Sequence, residues 1–253
     1  MSGHSKWATI KRKKASIDAA RGVEFAKFSR EIMVAAKLGG PDLNGNFRLR
    51  TAVDKAKAAG LPKDNIKRAI EKATGSASNE NFEEITYEGY GPGGVAVFIE
   101  ALTDNRNRTA GDIRSYFNKN LGNLGETGCV GWMFKQEGVI TIKKDGINQD
   151  ELLEKALEAG ATDFSEEEEE YRISTEPTEL QAVSEALQNA GYELSSYEVT
   201  RNAENTIEIT DENDAKHLLR LMDSIESHDD VQNVYSNFDM DSDLYEKASE
   251  WIN

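Results

Sequence analysis

Cysteine is almost missing from this chain: Cys129 is the only one, so no internal disulfide can form, and that usage fits a reducing compartment. Histidine is nearly as scarce, with three residues, and no nucleophile and base pair is apparent among them. A serine-based site assembled in space is all that is left to the enzyme class, which is therefore disfavoured. No run of 18 apolar residues occurs, so no spanning helix is expected, and Met1 to Lys14 has no apolar stretch of the kind a secretory signal needs. A matrix-targeting presequence is basic too, but this segment is rich in lysine and runs straight into sequence that looks folded. A soluble cytoplasmic protein is the expectation, with no membrane partner.

Acidic residues are also missing, but only locally. Before Asp18 there is none, and residues 1–75 hold 17 Lys+Arg against 7 Asp+Glu, a net of +10. Residues 76–253 hold 13 against 39, a net of −26, so the overall −16 hides a bipolar molecule. A block of one sign attracts the opposite polyion, which makes nucleic acid the expected partner of the first block and not of the rest. With 253 residues, 38% hydrophobic and 30% charged, the chain lies in the globular range and is long enough for two or three domains.

The basic block reads as helices. Phe25, Phe28, Ile32 and Ala36 recur at helical spacing until Gly39-Gly40-Pro41. A second helix from about Asn46 to Gly60 places Leu49, Ala52, Val53 and Ala56 on one face, with Arg48, Arg50, Lys55 and Lys57 flanking it. A third opens at Pro62, with Ile66, Ala69, Ile70 and Ala73 on one side and Lys63, Lys67, Arg68 and Lys72 on the other. Ahead of them stand Lys6 and Trp7, the run Lys11-Arg12-Lys13-Lys14, and Arg21. Most helix charges are merely solvated, but here few acids are available for i,i+4 pairing, and the balance favours contact with phosphates.

Beyond residue 76 strand-helix-strand units recur. The first runs from Gly94–Leu102 through a helix at Thr109–Asn120 to Val130–Phe134. The second joins Val139–Ile142, a helix at Asp150–Glu158 closed by Gly160, and an edge near Phe164. The third joins Tyr171–Thr175, a helix at Pro177–Ala190, and Leu194–Val199. The last joins Thr206–Thr210, a helix at Asp214–Ser227, and Val231–Phe238. The middle two make a βαββαβ module of the ferredoxin-like kind. One unit cannot close a core, so the outer two are expected to pair into a second ferredoxin-like domain around it. The expected domains are a basic helical one at 1–78, a discontinuous α+β one at 79–134 plus 204–253, and an inserted acidic α+β one at 135–203.

Several motif-like strings carry less than they suggest. Gly89-Tyr90-Gly91-Pro92-Gly93-Gly94 satisfies the dinucleotide-binding pattern, yet a strand follows it where a helix N-terminus must receive the pyrophosphate, so it reads as a turn between two strands. The run Glu166–Glu170 reads as a solvated loop, and His228-Asp229-Asp230 has no second ligand cluster, so neither a metal nor a cofactor is expected. Asp104-Asn105-Arg106-Asn107-Arg108-Thr109 is open to two readings. Thr109 with Asp112 forms a weak capping pair, and Arg106 with Arg108 at a helix start forms an anion site.

Ser2-Gly3-His4-Ser5-Lys6-Trp7, Leu61-Pro62-Lys63-Asp64-Asn65-Ile66, Tyr87-Glu88-Gly89-Tyr90-Gly91-Pro92-Gly93-Gly94, Asp104-Asn105-Arg106-Asn107-Arg108-Thr109 and His228-Asp229-Asp230-Val231-Gln232-Asn233-Val234-Tyr235, in that order, resemble the YebC family along essentially the whole chain. The family carries the label of probable transcriptional regulators, and its mitochondrial relatives are translational activators. The resemblance implies a cytoplasmic, non-enzymatic protein of one helical and two α+β domains that acts on gene expression through nucleic acid, with a ribosomal role added by the translational branch. Leu121 departs from the pattern, standing where a glycine is usual.

Two functions compete. A DNA-binding transcriptional regulator is what the family label implies, although no helix-turn-helix or base-reading Arg/Asn/Gln stripe is visible. The alternative is an RNA- or ribosome-binding translation factor, whose acidic domains face ribosomal proteins. No small-molecule substrate is expected. The candidate binding residues are Lys6, Trp7, Lys11, Arg12, Lys13, Lys14, Arg21, Arg48, Arg50, Lys63, Lys67, Arg68, Arg106 and Arg108.

Overall fold

A computed structural model describes residues 17–76, 79 and 81–252. Helix α1, Ile17–Gly39, starts well before the apolar stripe at Phe25 and ends where Gly40 turns to φ +86. Helix α2, Phe47–Ala58, is capped by Asn46, whose Oδ1 accepts from the Leu49 amide at 3.0 Å. The buried Asn46 amide group also donates to Ala35 O and Gly40 O, both at 2.8 Å, so one side chain closes the end of α1 and opens α2. Helix α3, Lys63–Thr74, follows Pro62 as expected. Their apolar stripes meet in one core of Ile32, Ala35, Ala36, Leu49, Ala52, Val53, Ala56, Leu61, Ile66 and Ala69. Because five of those ten are alanines, the helix backbones can approach closely.

An antiparallel hairpin of β1, Glu83–Tyr90, and β2, Ala96–Thr103, comes next. The glycine-rich string is the turn between them, with Gly93 and Gly94 at φ +70 and +77. Helix α4, Arg106–Lys119, leads to the two-residue strand β3, Asn123–Leu124, which pairs with β1. Phe117 of α4 is fully buried, and Gly89 and Gly122 make room for it: a Cβ on either would come within about 3 Å of its ring.

The inserted unit, residues 135–202, begins within β4, Phe134–Lys143. It continues through α5, Gln149–Ala159, β5, Asp163–Glu166, β6, Glu170–Thr175, and α6, Leu180–Asn189, and leaves by β7, Ser196–Ala203. The sheet order β5-β6-β4-β7 is that of a ferredoxin-like βαββαβ domain. Ile140 lies opposite Ile173 in the β4–β6 ladder, and both are fully buried, as are Leu152, Ala156, Leu180, Val183 and Leu187 of the two helices. Glycine at +109 closes α5 at Gly160, as its sequence anticipates.

The other unit resumes with β8, Ile207–Ile209, α7, Glu212–Glu226, β9, Val231–Ser236, β10, Phe238–Met240, and α8, Ser242–Ser249. β9 pairs with β2, giving the order β3-β1-β2-β9, so the first and last units share a sheet. α4 and α7 cover it with Ile113, Phe117, Leu218, Leu221, Met222 and Ile225. This second α+β domain encloses the insertion within its own chain and forms one compact unit with the N-terminal helices.

Two local expectations are corrected. Val130–Phe134 does not close the first unit as a strand, because Gly131–Met133 is a 3-10 turn and Phe134 opens β4. The amides of Val130 and Gly131 are spent on the Glu88 carboxylate, so they are not available to a ladder. The first strand of the last unit, expected at Thr206–Thr210, is a three-residue strand that pairs in parallel with β10 outside the main sheet.

Candidate nucleic-acid interface

Of the candidate contacts, Lys6, Trp7, Lys11, Arg12, Lys13 and Lys14 lie outside the described residues, as does the side chain of Arg21. The rest separate into two groups. Lys63, Lys67 and Arg68 are exposed on α3, opposite its buried Ile66 and Ala69, and Lys57 is exposed on α2. Lys67 Nζ stands 3.7 Å from Glu71, a loose pair on an open surface that contributes a few tenths of a kcal/mol. Arg68 lies along its own helix, donating to Asp64 O at 3.2 Å and to Asn65 Oδ1 at 2.7 Å. Arg50 places its guanidinium 5.3 Å from the centre of the Phe47 ring.

Arg48 and Arg108 are instead paired with carboxylates of the fold, although the Arg108 side chain is still 48% exposed. Arg48 Nε donates to Glu31 at 2.9 Å, and Nη2 reaches Glu84 at 2.5 Å, tying α2 to α1 and to β1. Burial works against its charge, but the hydrogen bonds to Glu31 and Glu84 outweigh that and hold the guanidinium firmly protonated. Arg108 Nη2 donates to Asp104 at 2.8 Å and to Asp230 at 3.0 Å. Chiefly through Asp230, these bonds raise its already high pKa. Arg106 is 63% exposed and stands 3.7 Å from Glu83.

Asp230 is the centre that the sequence does not reveal. Its side chain is 2% exposed, yet it accepts from Arg30 at 2.6 Å, Thr109 at 2.6 Å, Arg108 at 3.0 Å and Thr103 at 3.3 Å. Burial alone would push this carboxyl up, but the hydrogen bonds from Thr109, Arg108 and Arg30 and the Arg30 charge hold it at about 2. Arg30 also donates to Leu102 O at 2.9 Å and Asp229 O at 3.1 Å, and lies 4.5 Å over the Phe82 ring. Lys27 adds a bond to Glu226 O. The helical and α+β parts of this unit are therefore joined by a polar network in which one buried carboxylate is answered by two arginines.

The helix start at this site differs from the expected Thr109–Asp112 pair. Asn105 is the cap, its Oδ1 accepting from the Arg108 amide at 3.1 Å, while Thr109 is buried one turn inside and donates to Asp230. Asp112 pairs with His228 Nε2 at 3.1 Å, and His228 Nδ1 accepts from the Asp230 amide at 3.0 Å, which fixes the ring proton on Nε2. Leu121, at the usual glycine position, takes φ +56 and is the one non-glycine residue with positive φ among the described residues. Among those residues no three His, Cys, Asp or Glu side chains gather into a metal-sized group, and no helix is long and apolar enough to cross a membrane.

Comparison with known proteins places this architecture. The family model described as the TACO1/YebC second and third domain matches residues 82–238, and that for the TACO1/YebC N-terminal domain matches residues 5–76. The chain belongs to the TACO1/YebC family. It is 55% identical over 250 residues to a probable transcriptional regulatory protein of Desulfotalea psychrophila, covering 99% of this chain and 100% of that one. A protein of the same description from Geobacter sulfurreducens is 54% identical over 247 residues, covering 98% and 99%. Among solved structures, a conserved hypothetical protein of Aquifex aeolicus is similar with a TM-score of 0.79 at 46% identity, covering 90% of this chain and 94% of that one.

Proposed function

We propose that this YebC-family protein is a non-enzymatic, cytoplasmic regulator of gene expression that binds nucleic acid through the basic first domain. The observation that carries the proposal is the exposure of Lys57, Lys63, Lys67 and Arg68 on α2 and α3, in a segment whose net charge is +10 while the rest of the chain carries −26. Lys6, Trp7, Lys11, Arg12, Lys13, Lys14, Arg21 and Arg50 are assigned to phosphate contact by the charge of the segment alone, with Arg106 as a further phosphate contact. Arg48 acts in this reading by holding the first domain on the α+β core, and Arg108 by helping to fix the Asp230 carboxylate that Arg30 of the first domain grips. The descriptions of its relatives as probable transcriptional regulatory proteins make duplex DNA the first target to test.

One observation favours an RNA target. Arg68 is folded back on Asp64 and Asn65, and its neighbours are lysines, so the face offers point charges for phosphates and lacks the extended bidentate arginines that read base edges. Such a face suits a shaped RNA, the ribosome included, with ribosomal proteins as neighbours. Crosslinking the full chain in cells and sequencing the attached nucleic acid tests both readings. Promoter fragments support the transcriptional reading, ribosomal RNA the translational one, and recovery of neither contradicts the proposal.

A further inference from the structure

Trp132 and Tyr90 stand out on a part of the protein that the nucleic-acid reading does not use. Trp132 is 71% exposed and Tyr90 38%, an unfavourable placement for large rings unless something covers them. Both are held in place. Trp132 Nε1 donates to Cys129 O at 3.1 Å, and Tyr90 Oη donates to the same oxygen at 3.3 Å, so the two rings converge on one carbonyl.

The loop that presents them is braced from below. Glu88, 3% exposed, accepts from the amides of Gly128 at 2.5 Å, Val130 at 3.1 Å and Gly131. Val130 and Phe134, which flank Trp132 in the sequence, pack with Ala96 and Phe98 of the sheet. Ordering these aromatics on binding therefore costs little entropy.

The local charge is negative. The Cys129 thiol is pushed up first by burial and then by Glu88 and Glu126. Glu126 is exposed one turn before Cys129, the Cys129 amide donating to its carbonyl at 3.2 Å, and Glu204, also exposed, is joined to the loop by its amide on Met133 O at 3.1 Å. A polyanion is repelled from such a place, whereas a cation gains both the carboxylates and the indole face. Ring faces elsewhere in this protein already take cations, Lys216 Nζ lying 3.9 Å over Trp251.

We propose that Trp132, Tyr90 and Glu126 form a docking platform for an arginine-bearing segment of a basic protein partner, a site distinct from the phosphate-binding helices and independent of whether those bind DNA or RNA. The test uses the full chain and a labelled peptide of six Arg-Gly repeats, with affinity read by fluorescence anisotropy. Trp132→Ala is expected to weaken binding by about tenfold and Trp132→Phe by less. Leu157→Ala, which removes a 53% exposed apolar side chain from α5, is expected to change binding less than twofold. All three variants keep the net charge, so general attraction of the peptide to an acidic surface cannot produce this ranking. Equal binding by Trp132→Ala and the parent overturns the proposal. So does loss of binding to a twelve-residue oligouridine in Trp132→Ala, which would make the platform a base-stacking surface.

Discussion

Arg30 of α1 donates from Nη1 to Asp230 Oδ1 at 2.6 Å across a sequence separation of 200 residues, and this bond anchors the helical domain to the sheet that β9 completes. Four donors satisfy the carboxylate, so it is a case in which a buried charge is fully answered.

Replacing Asp230 by Asn is expected to destabilise the protein by roughly 2–4 kcal/mol, because Arg30 and Arg108 then face a neutral acceptor with an amide hydrogen directed at them. Urea unfolding at neutral pH measures it. Asp239→Asn, on a half-buried carboxylate of β10, is expected to cost less than about 1 kcal/mol.

The same carboxylate sets a pH dependence. Its folded pKa of about 2 lies below the ordinary value of 3.8, so the stability it contributes is fully present above about pH 4 and is lost as the pH falls through 2. A shift of that size corresponds to about 2 kcal/mol. The stability difference between the parent and Asp230→Asn should accordingly narrow between pH 4 and pH 2, and a difference that stays constant over that range would show that the charge of Asp230 is not its source.

Leu121→Gly is expected to stabilise the protein by about 1 kcal/mol. The leucine is 56% exposed and holds φ +56, a conformation that costs an L side chain roughly that much and glycine almost nothing. The thermal midpoint should rise by a few degrees.

Replacing residues 135–202 by a short Gly/Ser linker is expected to leave the remaining unit folded. Its two cut ends are already joined there, the Glu204 amide donating to Met133 O at 3.1 Å, and Ala203 packs beside Phe98 and Phe134. Cooperative melting of the shortened chain checks this, and a molten product contradicts it.

What the sequence revealed follows the range of the interactions. Helices α2 and α3 and the whole inserted βαββαβ module are legible because each buries one periodic face and ends at a glycine, a proline or an asparagine cap. The early start of α1 is not, since Ile17 to Glu24 has no apolar stripe of its own. The 3-10 turn at Gly131–Met133 reads as a strand because the carboxylate that captures its amides, Glu88, lies about 40 residues away. Arg108 resembles an anion clamp for the same reason. Its local setting is a helix start with two arginines, and the acid that occupies it is 122 residues further on. The motif His228-Asp229-Asp230 was visible, but its use depends on Arg30 and Thr109, which no local pattern connects to it.

The role assigned to the first domain is tested most directly by the salt dependence of nucleic-acid binding. The full chain and a Lys57→Gln, Lys63→Gln, Lys67→Gln variant are titrated with duplex DNA and with structured RNA between about 50 and 200 mM salt. If these lysines contact phosphates, the variant binds more weakly, and the slope of log K against log salt on the preferred ligand flattens by about 0.7 to 0.9 for each lysine removed. An unchanged affinity and slope on both ligands would contradict the assignment of the phosphate-binding face to α2 and α3.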